Sequence, residues 1–303
     1  MMKQAFIKLH LSILIAGFTG IFGKLITLNE GMLVWYRLLI TSVLLFIMLS
    51  VTKRFVRLPM KDFYRIGFVG LLLTLHWLFF YASIKYSNVS IGVVCFSMTG
   101  FFTAVLEPAV SRRRISFREL SFSIIALLGI ALIFHFDTRY RTGIICGAIS
   151  SALAASFVIA NKRVATDANY SWDVTLFYEM IGGFLSLSII LPFYLQLFPV
   201  MSFFPSNTDL IYLLIFSMVC TIGLYMLQIQ ALKSISAFTL NLSYNLEPIY
   251  SIVLAMIIFG EAKELNFSFY TGLLLIILSV LLQMYTVMKE RKRIDLAEQR
   301  SGF

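Results

Sequence analysis

The stretch Asn241-Leu242-Ser243-Tyr244-Asn245-Leu246-Glu247-Pro248-Ile249-Tyr250 sets a carboxylate beside a proline inside a strongly apolar run. On a helix turning about 100° per residue, Asn241, Tyr244 and Asn245 share one side, and Ser243, Glu247, Tyr250 and Ser251 occupy the adjoining one. Leu242, Leu246, Ile249 and Val253 make up the rest. The apolar face is narrow and the polar face broad. If hydrocarbon surrounds this helix, the polar face must look into the protein or a watery cavity, because unpaired polar groups in lipid cost several kcal/mol each. Pro248 has no N–H to give the carbonyl of Tyr244, so a kink is expected there, freeing a backbone oxygen beside Glu247. Freed groups of this kind line cavities and hinges in membrane helices. The competing reading is a packing kink with Glu247 capped by a neighbouring helix.

The rest of the chain supplies the hydrocarbon setting. Of 303 residues, 59% are hydrophobic and 13% charged, about half the charged share of a soluble domain. The apolar residues fall in runs of roughly twenty, the length of a membrane-crossing helix, without the alternation of a β-barrel. Cys95, Cys146 and Cys220 lie inside apolar runs without close Cys or His partners, so neither a disulfide framework nor a metal site is read. The net charge of +10 resides in loops between apolar runs, which marks topology and speaks against a nucleic-acid footprint. The first run follows Lys3, is too long for a signal peptide, and is expected to stay as the first helix.

Ten spans are expected, near 5–26, 31–52, 65–85, 89–110, 117–136, 141–161, 172–195, 209–232, 236–259 and 267–288. Alternate connections then carry nineteen Lys and Arg on one side and four on the other, with Lys24 and Arg37 left inside spans. By the positive-inside rule both termini face the cytoplasm, as for a protein of the bacterial inner membrane. Ten spans divide into an expected five-helix repeat over 1–138 and a second, inverted one over 139–303 with a short basic tail. Echoes support duplication: Phe22-Gly23-Lys24 with Ala160-Asn161-Lys162, Trp35-Tyr36-Arg37 with Phe177-Tyr178-Glu179, and Ile84-Lys85-Tyr86 with Leu232-Lys233-Ser234.

Ionisable groups at membrane depth are the functional candidates. Glu247 lies about eleven residues in from the cytoplasmic end, near mid-bilayer at roughly 1.5 Å per residue. His76 reaches a similar depth, with Trp77 and Tyr81 on the same helix. An imidazole and a carboxylate there could move protons, although a lone helical histidine is more often a hydrogen-bonded packing residue. Arg37 and Glu179 each cost on the order of 3 kcal/mol to insert, so both should face the interior without having to touch. Arg37 has the fork that binds a carboxylate or phosphate through two oxygens. Lys24, nearer a boundary, is expected to snorkel to the interface. Gln228 and Gln230 read as gate or interface residues, Glu107-Pro108 as a helix boundary, and Gly182-Gly183 as close helix packing. No phosphate loop, zinc motif or nucleophile elbow occurs.

The five-plus-five plan, Trp35-Tyr36-Arg37, Glu247-Pro248 and Phe259-Gly260-Glu261 together resemble the drug/metabolite transporter superfamily, specifically the EamA-type transporters. The resemblance covers nearly the whole chain. It implies an all-α membrane protein of two inverted five-helix repeats around a central cavity, exporting small metabolites such as amino acids by alternating access. Pro248 matches the family's mid-helix proline and Glu261 its glycine-glutamate; Gly100, Arg112 to Arg114 and Thr19-Gly20 depart from the first-half pattern.

On these readings the leading function is secondary transport, with Glu247, Tyr244, Asn241 and Asn245 contacting or gating substrate around Pro248. Arg37 and Glu179 would set charge preference, and Trp77 and Tyr81 would form an apolar wall. The partners are a small-molecule substrate and the lipid bilayer, with no cofactor and no nucleic acid. Uphill work needs a coupling proton, another ion or an exchanged solute, because no ATP-binding segment occurs. An exchanger of phosphorylated metabolites or nucleotide sugars, an intramembrane enzyme using His76, Glu247 and Glu179, and a non-transporting sensor or structural subunit stay open as alternatives.

Overall fold

The computed structural model describes residues 2–111, 116–136, 140–167, 170–199, 202–232, 244, 246–263, 265–279, 281, 282, 285 and 289. The regular structure among these residues is all helical, with no strand among them. In chain order the helices are α1 (Met2–Leu25), α2 (Glu30–Val51), α3 (Met60–Tyr86), α4 (Val89–Phe96), α5 (Thr99–Ser111), α6 (Phe117–Phe136), α7 (Arg141–Asp167) and α8 (Trp172–Leu197). There follow α9 (Asn207–Ser217), a π-helical segment (Met218–Gly223), α10 (Leu224–Leu232), α11 (Glu247–Phe259), a 3₁₀ turn (Glu261–Lys263) and α12 (Phe267–Ser279).

Seven of the described helical rods are long and apolar enough to cross a membrane, and three shorter apolar ones accompany them: Leu120–Leu132, Glu247–Phe259 and Phe267–Ser279. Polar residues punctuate them where the backbone needs partners. The Asn29 side chain accepts from the Met32 N–H and starts α2; Asn88 does the same for Ile91 and α4, and Ser206 for Asp209 and α9. Gly260 ends α11 with φ of 68°, a left-handed conformation that a side chain would strain.

Two expected spans are interrupted. The fourth, expected as one helix over 89–110, breaks between α4 and α5 at Ser97 and Met98. The eighth holds its line through α9 and α10 but widens to π geometry over Met218–Gly223. In the ninth, Pro248 does not kink a helix interior. It sits in the first turn of α11, where the missing N–H costs nothing, and Leu246 forms a turn just before it. Asn241, Asn245 and most of the first half of that span lie outside the described residues.

The packing is reciprocal. α3 lies along α7 and α8, while α1 lies along α10 and α11 and α2 along α8 and α9. α4 fills the space between α7 and α11, and α5 also leans on α7. Lys53, Arg54, Arg57, Lys61, Arg65, Lys162 and Arg163 gather at the end of the bundle where the chain begins, called here the basic end. Asp173 meets Arg54 there at 3.1 Å, and the Tyr170 hydroxyl donates to Asp62 at 2.6 Å. At the opposite end Asp209 accepts from the Thr27 N–H and hydroxyl, both at 2.7 Å, and Lys85 donates to the Ile26 carbonyl. Large apolar side chains such as Ile189, Phe193 and Ile257 point outward, about 70% exposed, as a lipid-facing surface requires.

Candidate functional site

The centre of the bundle is organised around Arg37. It projects from α2, is only 2% exposed, and sits over the rings of Trp77 at 3.6 Å and Phe216 at 4.0 Å. Its Nε and NH2 donate to Thr221 Oγ1 at 3.2 and 3.0 Å, and NH1 donates to the Tyr81 hydroxyl at 2.6 Å. Thr221 Oγ1 in turn donates weakly to the Phe216 carbonyl five residues back, from the π-helical segment to the last turn of α9. The wide turn carries Thr221 to the guanidinium. A buried cation is tolerable when rings cover its faces and oxygens take its protons. Both conditions hold here.

Trp77 and Tyr81 are therefore the cradle of Arg37. The expected apolar wall is a cation holder, and the fork expected to receive an anion is already occupied by protein oxygens. Glu179 contrasts with it. It lies on α8, is 1% exposed, and its Oε1 has no hydrogen-bond donor among the described residues. Its backbone carbonyl rests on Gly70 of α3, and Gly183 one turn on rests on Thr74. Gly67 and Gly182 meet backbone to backbone beside them. The small residues bring α3 and α8 together and bury the carboxylate at their seam.

Tyr225 of α10 lies within electrostatic reach of Glu179, Arg37 and Tyr244, and Tyr81 within that of Glu247. Glu247 is half-buried at the start of α11. The Tyr244 hydroxyl donates to Ser12 at 2.9 Å and shares a hydrogen bond with Gln228. The Ser251 hydroxyl donates to the Gly17 carbonyl at 3.1 Å, so α1 closes against this part of the chain. Pro248 lines a small apolar crevice with Val94, Ser97, Ile252 and Ile276, beside the break between α4 and α5.

His76 belongs to a different contact. Its Nδ1 pairs with Ser150 Oγ at 2.8 Å, and its ring lies against Phe96, so it joins α3 to α7. No bond from His76 to Glu179 or Glu247 exists among the described residues, and the constellation an intramembrane enzyme would need is not assembled by hydrogen bonds.

Lys24 departs from expectation. It does not snorkel freely: its Nζ lies 2.9 Å from Glu261 Oε1 and over the Phe259 ring. Glu261 is fully buried and also accepts from the Val89 N–H at 3.0 Å, the Ser90 N–H at 2.9 Å and the Ser90 hydroxyl at 2.7 Å. A carboxylate on a helix N-terminus is favourable, and a buried one also wants a counter-ion. Glu107 likewise is more than a boundary residue, since Lys162 contacts it at 2.8 Å. Thr221, Phe216 and Tyr225 are not legible as site residues in the sequence, because hydroxyls and rings inside an apolar run carry no distinguishing spacing.

A polytopic helical protein with buried ionisable groups at its centre has the makings of a membrane transporter, and comparison with known proteins agrees. The model of the EamA-like transporter family matches residues 4–135 and 141–285. The chain belongs to that family, an integral membrane protein with its two-repeat all-α fold. It is 25% identical over 194 residues to an uncharacterized transporter of Clostridium kluyveri, an alignment covering 61% of this chain. The chain covers 60% of the length of that curated relative. A solved crystal structure superposes on 95% of this chain and 99% of its own with a TM-score of 0.62 and 14% identity, a likeness of fold alone.

Proposed function

We propose that the protein is a secondary transporter that moves a small amine-bearing metabolite, such as an amino acid, outward across the cytoplasmic membrane by alternating access. The excess of Lys and Arg at the basic end supports placing that end, with both termini, in the cytoplasm. Glu179 carries the substrate class. A buried carboxylate whose Oε1 has no donor among the described residues is costly in a membrane, and a cationic group brought by the substrate would relieve that cost. Glu247 at the start of α11 offers a second carboxylate to the same interior. A coupling proton or an exchanged solute would discharge Glu179 between substrates.

Exchange of phosphorylated metabolites is the weaker reading, because it wants a free cation. Arg37 is committed to Thr221 and Tyr81, and Lys24 to Glu261. A thermal-shift screen of the purified protein with amino acids, amines, nucleotide sugars and phosphorylated sugars tests the assignment, since a ligand of the folded state stabilises it by mass action. Stabilisation by an amine-bearing solute that is lost in Glu179→Gln is expected. Stabilisation by phosphorylated solutes only would overturn it in favour of the exchanger.

A further inference from the structure

The connection between α2 and α3, at the basic end, is strapped to its neighbours. α2 closes with the Arg54 N–H on the Leu49 carbonyl at 2.8 Å and the Lys53 N–H on the Ser50 carbonyl at 3.2 Å. This closure sets Lys53 at φ of 54°, the left-handed position that glycine takes most easily. No other non-glycine residue among those described has a positive φ. Beyond it the Tyr178 hydroxyl of α8 donates to the Val56 carbonyl at 2.9 Å and receives the Leu58 N–H weakly at 3.4 Å. Arg54 pairs with Asp173, and the Phe55 ring packs against Phe46 and Phe177.

The strap presents positive charge. Lys53, Arg57 and Lys61 stand exposed, and no ion pair reaches them among the described residues. The carboxylates at this end are engaged elsewhere: Asp173 with Arg54, Asp62 with Tyr170, and Glu107 with Lys162. Exposed rings lie deeper along both helices. Lys61, Tyr64, Arg65 and Phe68 follow one outward face of α3, so the face passes from charge to aromatic in two turns. Phe46 and Ile47 of α2 are exposed as well, with Phe55 against Phe46. A soluble anion needs the cations alone. Cations backed by exposed rings and aliphatic side chains match a phosphate that carries acyl chains.

We propose that the α2–α3 connection is a binding site for an anionic phospholipid, with Lys53, Arg57 and Lys61 on the headgroup phosphate and the exposed rings of α2 and α3 along the acyl chains. The lysine at the left-handed position then has a reason. Glycine would close α2 with less strain but would leave the phosphate one cation short. The assignment is independent of the transported solute and of which leaflet the basic end faces.

Native mass spectrometry of the full chain in detergent, titrated with phosphatidylglycerol and with phosphatidylcholine of the same acyl chains, tests this. Phosphatidylcholine carries its own cation beside the phosphate, so phosphatidylglycerol is expected to bind about tenfold tighter. Lys53→Gly should melt no lower than the parent, because it relieves the left-handed strain, yet bind phosphatidylglycerol several-fold more weakly with phosphatidylcholine unchanged. Lys292→Gln, which removes the same charge from the tail, should leave the preference intact. Equal binding of the two lipids, or full phosphatidylglycerol affinity in Lys53→Gly, would overturn the proposal. An equal loss in Lys292→Gln would also overturn it, since attraction to net charge would then suffice. Glycerol phosphate binding as tightly as phosphatidylglycerol would replace the lipid by a soluble phosphate ester.

Discussion

Gly70 of α3 stands directly under the backbone carbonyl of Glu179, with no room between them for a Cβ. The buried carboxylate is held at the seam by a residue with no side chain. Gly70→Ala would drive a methyl into backbone, which cannot swing aside as a side chain could. The expected cost is about 2 kcal/mol from overpacking, read as a lower melting temperature in detergent. Gly100→Ala, where nothing lies within 4 Å, should melt no lower than the parent.

Arg37 should be more sensitive to a charged replacement than to an apolar one. Arg37→Lys keeps the charge but cannot reach Thr221 and Tyr81 together, leaving a buried ammonium poorly paired. Arg37→Met removes the cation along with its desolvation cost. Thermal unfolding is expected to rank the lysine variant below the methionine one by about 1–2 kcal/mol. Equal losses would mean that the forked geometry is immaterial.

The two ion pairs should respond differently to charge reversal. Lys24→Glu combined with Glu261→Lys places an ammonium against the N–H groups of Val89 and Ser90, which need an acceptor. That double variant should lose about 3 kcal/mol, as expected when a buried hydrogen-bonded carboxylate is removed. Lys162→Glu with Glu107→Lys faces water and should fall within about 0.5 kcal/mol of the parent. Melting temperatures of the two double variants, compared side by side, decide the matter.

Glu261 also fixes the sign of a pH effect. Burial works against its charge, but the hydrogen bonds from Ser90, Lys24 and Val89 outweigh that and hold its carboxyl below the usual value of 4.5. A depressed carboxyl contributes stability above its unfolded value, and loses it as pH falls through the folded one. Lys24 is the charged group in contact with it. The melting temperature should thus drop between pH 5 and acid more steeply in the parent than in Glu261→Gln; parallel curves would refute this.

Composition and the twenty-residue rhythm made the membrane and the helices legible, and the cost of burying charge marked Arg37 and Glu179 as interior. What the chain does with that charge was hidden. Arg37 reads as a free fork until Thr221, 184 residues away, is seen to fill it. Lys24 reads as a snorkelling cation until Glu261, 237 residues away, is beside it. Such pairings depend on how helices register across a bundle, and no local period encodes that. The break at Ser97 and the π turn at Met218 carry no proline to announce them, whereas Pro248 announces a kink and instead starts a helix.

The π turn has a geometric corollary. Wound with bonds five residues apart, Met218–Gly223 takes up more chain per turn than the α-helices on either side. Returning it to α pitch without moving α9 would turn everything beyond Gly223 by about 100°, one residue's worth of screw. Tyr225 and Gln228 would swing to new faces while Phe216 stayed against Arg37. The rod thus contains a ratchet of one notch, seated where its own threonine holds the central cation.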